Sequence, residues 1–87
     1  MRITQYMSRK LGEKYKLNFA VVPHREFWLG LNIELEHAEL VNYKIDSIVK
    51  IVIAHLGEDP RYYFYLHKLE EKRKKYWKNK KRPSPLL

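Results

Sequence analysis

The tetrapeptide Gly57-Glu58-Asp59-Pro60 constrains the fold of this chain more than any other feature. Glycine is the common residue just past a helix end, aspartate caps a following helix through its side-chain oxygen, and proline suits a first helical position, where its missing N–H has no partner to lose. Two helices are therefore predicted to meet here, with Asp59 as N-cap and Pro60 as the first residue of the second. A weaker break falls at Val22-Pro23, where proline disfavours helical geometry at the preceding residue. A third falls at Asn42-Tyr43-Lys44.

Between these breaks the apolar residues recur at three- and four-residue steps, the spacing of a helix face. Helices are expected over residues 4–16, 24–40, 46–56 and 60–80. In the first, Ile3, Tyr6, Met7, Leu11 and Tyr15 form the apolar set, and Gly12 weakens it slightly. In the third, Ile48, Val49, Ile51, Val52, Ile53 and Leu56 are β-branched enough to favour a strand. The run is too long for a typical strand and does not alternate, so a helix is preferred, capped by Asp46 or Ser47. The fourth helix ends before Pro83 and Pro85, and its apolar arc holds Tyr62, Tyr65, Leu66, Leu69, Tyr76 and Trp77.

With 87 residues, these segments make one all-α domain, a small bundle of three to four helices over residues 1–82, with 83–87 as a short tail. No apolar run is long enough to span a membrane, and the first residues lack the apolar core of a signal peptide. Without cysteine, disulfides and thiolate metal sites are excluded, and the expected compartment is the cytoplasm. The Lys-, Tyr- and Ile-rich composition also suits a thermophile.

The net charge of +8 is unevenly distributed. From Leu66 onward nine basic residues, Lys68, Lys72, Arg73, Lys74, Lys75, Lys78, Lys80, Lys81 and Arg82, face only Glu70 and Glu71, whereas the first 65 residues are close to neutral. Lys68, Lys72 and Lys75 share one outer stripe, with Tyr76 and Trp77 interleaved. Lysine and arginine supply phosphate contacts and aromatic rings stack on bases, so this helix is a candidate nucleic-acid surface, largely blind to sequence. A solvated helix end, an acidic protein or an anionic membrane surface would use the same charges.

Helical geometry also turns four ionisable residues toward the core: Glu34 and His37, one turn apart; His55, between Ile48 and Ile51; and Glu70, beside Leu66. Asn32, Glu36 and Glu39 take the wet side, and Gly30 leaves room for close approach. Buried charges need partners. Three readings follow: a structural network of carboxylates, histidines and tyrosines; a divalent metal site for zinc, iron or manganese; or an acid–base pair. Glu34-x-x-His37 has the spacing of di-iron helices, but those sites need two such motifs, which only a homodimer would supply. No nucleophile elbow, phosphate loop or zinc-protease motif points to an enzyme.

The segments Lys10-Leu11-Gly12-Glu13, Phe27-Trp28-Leu29-Gly30-Leu31-Asn32-Ile33-Glu34-Leu35-Glu36-His37 and Ala54-His55-Leu56-Gly57-Glu58-Asp59-Pro60-Arg61-Tyr62-Tyr63, followed by Leu66, Leu69 and Glu70, resemble an uncharacterised family of small bacterial and phage proteins, a domain of unknown function. The resemblance covers roughly residues 8 to 71. It implies a shared helical core built around Glu34, Glu36, His37, His55, Glu58 and Glu70, with no known activity, and it stops short of the basic end. The expected function is a non-enzymatic binding protein contacting nucleic acid. The alternatives are a metal-binding domain using Glu34, His37, His55 and Glu70, or a scaffold protein without ligand.

Overall fold

The computed structural model describes residues 2–38 and 44–80, and within them the all-α expectation holds. Four helices follow in order: α1 (Gln5–Lys14), α2 (His24–Ala38), α3 (Ile45–Glu58) and α4 (Tyr62–Trp77). Helix α2 is the hub, packing against each of the other three. Phe27, Leu31, Leu35 and Ala38 recur along it at helical spacing and are all buried, facing Ile48, Val49, Val52 and Leu56 of α3. Ile3, Val22 and Tyr63 close the core from the flanks.

Of the apolar set predicted for α1, Ile3 is buried and Leu11 and Tyr15 pack against the core, but the innermost helical positions are taken by other residues. Tyr6 is 69% exposed and Met7 40%, while Ser8 and Gly12 are buried. The reason is proximity. The Phe19 ring lies so close over Gly12 that a β-carbon there would stand 2.4 Å from the ring's Cζ. Ser8 is pinned instead of packed: its hydroxyl donates to the Gln5 carbonyl at 2.7 Å and lies 2.6 Å from His24 Nε2.

The helix ends also differ from expectation, each for a stated contact. Helix α1 stops at Lys14, two residues early, in a Schellman closure. The Leu17 amide donates to the Gly12 carbonyl at 2.9 Å and the Lys16 amide to that of Glu13 at 3.1 Å, which forces Lys16 to φ 56°. Helix α3 begins at Ile45 with Lys44 at the cap position and no side-chain cap. Asp46, predicted as a cap, instead accepts hydrogen bonds from Lys14 Nζ at 3.2 Å and from the Tyr15 hydroxyl, tying α3 to α1. At the 57–60 junction, α3 runs on to Glu58 and α4 begins at Tyr62, so Pro60 lies in the turn rather than the helix. Asp59 caps the turn: its Oδ1 accepts from the Arg61 amide at 2.9 Å and its carbonyl from the Tyr62 amide. The predicted extension of α2 to residue 40 lies outside the described residues beyond Ala38.

Candidate functional site

Helix α4 meets the body through Tyr63. The residue is fully buried, and its ring lies directly over Gly30 of α2, where a β-carbon would stand 2.4 Å from Cε2. The close approach anticipated at Gly30 is therefore present, and the tyrosine fills it. The Tyr63 hydroxyl shares a 2.9 Å hydrogen bond with His55 Nδ1 on α3, and the His55 ring stacks on Tyr62 with centroids 4.4 Å apart. One residue thus joins three helices. Burial first, then the charge of the Glu34 carboxylate, holds the Tyr63 phenol well above its ordinary pKa, so it keeps its proton and can donate to the imidazole.

Glu26 adds a second lock. It is buried in the first turn of α2, and its Oε2 accepts a hydrogen bond from the Phe64 amide at 3.2 Å. The first-turn amides of a helix have no partner within the helix and carry a partial positive charge, so a carboxylate on a neighbouring helix caps α4 in place of a local residue. No sequence rule singles out Glu26, because its partner lies 38 residues away. Asn32 was equally unreadable. Expected on the wet face, it instead holds the N-terminal segment, its Oδ1 accepting from the Ile3 amide at 2.8 Å and its Nδ2 donating to the Ile3 carbonyl at 3.0 Å. The Trp28 indole N–H donates to the same carbonyl at 2.8 Å.

The four inward residues named from sequence do not share one environment. His55 is half-buried and bonded to Tyr63; Glu34 is largely buried beside it; Glu70 is half-buried further along α4. His37 turns outward, with 65% of its side chain exposed and its Nδ1 3.9 Å from Glu34. Residue 37 lies at the edge of the arc that α2 presents to α3, and Ala38 takes the inner position next to it. Among the described residues no group of three or more His, Asp or Glu side chains is placed to hold a metal ion. Every buried side-chain nitrogen and oxygen among them has a hydrogen-bond partner.

The basic residues are arranged differently. Lys68, Lys72, Arg73, Lys74, Lys75, Lys78 and Lys80 are all exposed, and Lys81 and Arg82 lie outside the described residues. Of the apolar arc predicted for α4, only Tyr62, Leu66 and Trp77 are partly covered. Tyr65, Leu69 and Tyr76 are 53%, 46% and 58% exposed, because at 3.6 residues per turn all three lie on the far side of α4 from Tyr63, the residue that packs on α2. The cations use these rings: Lys80 Nζ lies 3.6 Å from the Tyr76 centroid and Lys68 Nζ 5.7 Å from that of Phe64.

Fold and junction together define a small helical domain whose last helix is docked at its first two turns and open at the rest. The chain belongs to the family described as protein of unknown function DUF5661, which matches residues 8–72. No curated protein and no solved structure matches it. The family match includes the Gly30–Tyr63–His55 junction and ends at Lys72, before Arg73, Lys74, Lys75, Lys78 and Lys80.

Proposed function

We propose that this protein is a non-enzymatic binding protein that contacts nucleic acid through the basic face of α4, largely without regard to sequence. One observation carries the reading. Seven exposed lysines and arginines alternate with exposed Tyr65 and Tyr76 over a helical span with just Glu70 and Glu71 to offset them. Such a surface supplies phosphate contacts from the cations and stacking faces from the rings. If about six of the charges meet phosphates, affinity falls by orders of magnitude between low and moderate salt.

The test is a gel shift or anisotropy titration of random duplex and single-stranded DNA at several salt concentrations, with full-length protein and a chain truncated after Glu71. Binding that weakens steeply with salt and disappears on truncation supports the reading. Binding that survives truncation removes the tail from it. The metal-binding alternative draws no support from the side-chain arrangement, since His55 is engaged by Tyr63 and His37 faces solvent. Elemental analysis of the purified protein is expected to give no stoichiometric zinc, iron or manganese.

A further inference from the structure

The basic surface is not confined to the tail. A cleft of about 220 Å³ between α2, α4 and the N-terminal segment is lined by Arg2, Arg25, Trp28, Leu29, Asn32 and His67. An adjoining cleft of about 270 Å³ shares Arg25 and adds Arg61 and Phe64. The body's near-neutral charge conceals this: three arginines line the two clefts against one carboxylate, that of Glu26, whose Oε2 accepts from the Phe64 amide. Three guanidinium groups and two aromatic rings thus occupy one side of the junction, and Phe64 leads directly to Lys68.

The chemistry of the first cleft is restricted in an informative way. The Trp28 indole N–H is used by the Ile3 carbonyl, and the Asn32 amide is used at both ends by Ile3 and by the Trp28 carbonyl. The cleft therefore offers an aromatic face, an aliphatic wall from Leu29 and two guanidinium groups, which carry its free hydrogen-bond donors. His67 is held by Glu71 at 2.8 Å. The volume is below the ~300–1,000 Å³ of a drug-sized ligand pocket, and suits one planar ring system with an anion beside it.

We infer that the Trp28–Arg25 cleft is a nucleotide seat for single-stranded nucleic acid, in which an unpaired base lies against Trp28 and the flanking phosphates meet Arg2 and Arg25. This rests on the reading of the protein as a nucleic-acid binder and names the form of its partner. The strand continues across Arg25 toward Phe64 and Arg61 and then reaches the lysines of α4. Base identity is read weakly, because stacking accepts any base, the Trp28 and Asn32 polar groups are used within the protein, and Arg2 and Arg25 are assigned to phosphates. Duplex DNA enters poorly, since its bases are paired and stacked on each other.

The test uses full-length Trp77→Phe protein, in which Trp28 is the one remaining indole of the chain's two. Oligo-dT and a duplex of equal length are titrated by anisotropy, with Trp28 emission followed in parallel. Expected results are quenching of Trp28 at saturation and tighter binding of oligo-dT than of duplex. Arg25→Ala should weaken oligo-dT binding roughly tenfold and lower the log–log salt slope by about 0.7, the value of one phosphate contact on a single strand. Arg61→Ala should act in the same direction, and both residues are exposed, so the fold is preserved. Oligo-dT binding that needs the residues after Glu71 but leaves Trp28 emission and the Arg25→Ala affinity unchanged overturns the seat and spares the tail reading. A preference for duplex overturns the seat as well, and binding to neither overturns both.

Discussion

The two halves of α4 are held by different physics: the first is rich in Tyr and Phe, weaker helix formers that rely on packing, and the second in Glu, Lys and Arg, which favour the helix by themselves. The first half is positioned by contacts of fixed geometry: Tyr63 over Gly30, its hydroxyl on His55, and the Phe64 amide on the buried Glu26. The second half, from Leu69 to Trp77, carries exposed Leu69, exposed Tyr76 and a run of exposed lysines. Packing at short range tolerates almost no change, whereas a solvated row of like charges tolerates many substitutions and responds to salt. The difference explains how one helix can be both part of the core and a binding surface.

Four variants test that division. The largest effect is expected from Gly30→Ala, because the methyl group would collide with a ring that has no room to retreat; a loss of about 3 kcal/mol, the upper end for overpacking, should appear in urea unfolding. Glu26→Ala should cost about 1–2 kcal/mol by leaving the Phe64 amide without its partner, and a circular-dichroism melt should show lost helicity. A null result there would mean that the cap does not hold α4. Lys16→Gly acts on the body in the opposite direction: relieving a positive φ at the Schellman position should stabilise by up to about 1 kcal/mol and leave any DNA affinity as it was. Lys72→Ala with Lys75→Ala should shift stability by less than about 0.5 kcal/mol while weakening DNA binding and its salt dependence, the reverse of the Gly30 and Lys16 pattern.

The smallest expected effect is one of pH. Partial burial, and then the charge of Arg9, lowers the His24 pKa below its ordinary value, so the folded state prefers neutral imidazole. As pH falls below about 6.5 the unfolded chain takes up this proton first, and stability declines until the folded-state histidine also titrates. Melting temperatures measured between pH 7.5 and 5 should fall, and His24→Asn should flatten the slope.

Helix number, order and approximate limits were legible because periodicity and the stops at Pro23 and 57–60 report local geometry. The close approach at Gly30 was legible too, as a glycine on an otherwise apolar face. The inner face of α1 was legible only in Ile3, Leu11 and Tyr15: Ser8 and Gly12 are small and one is polar, and apolar spacing cannot register a surface chosen for how near a neighbour comes. Asn32 read as solvent-facing and Glu26 drew no reading at all, because their partners are distant in sequence. His37 was turned inward by wheel geometry alone, which cannot resolve a residue at the edge of an arc. The exposed rings of α4 were misread for the same cause: an apolar stripe is buried only where another element lies against it.

The Tyr63 ring over Gly30 has a mechanical consequence. From Tyr63 to Lys78 the helix rises roughly 22 Å at ~1.5 Å per residue. A fulcrum so near one end makes the rest of α4 a lever, and a tilt of about 10° at the tyrosine displaces the lysines by ~4 Å, more than the length of a hydrogen bond. The aim of the charged tip is therefore decided where the helix meets a single missing methyl group.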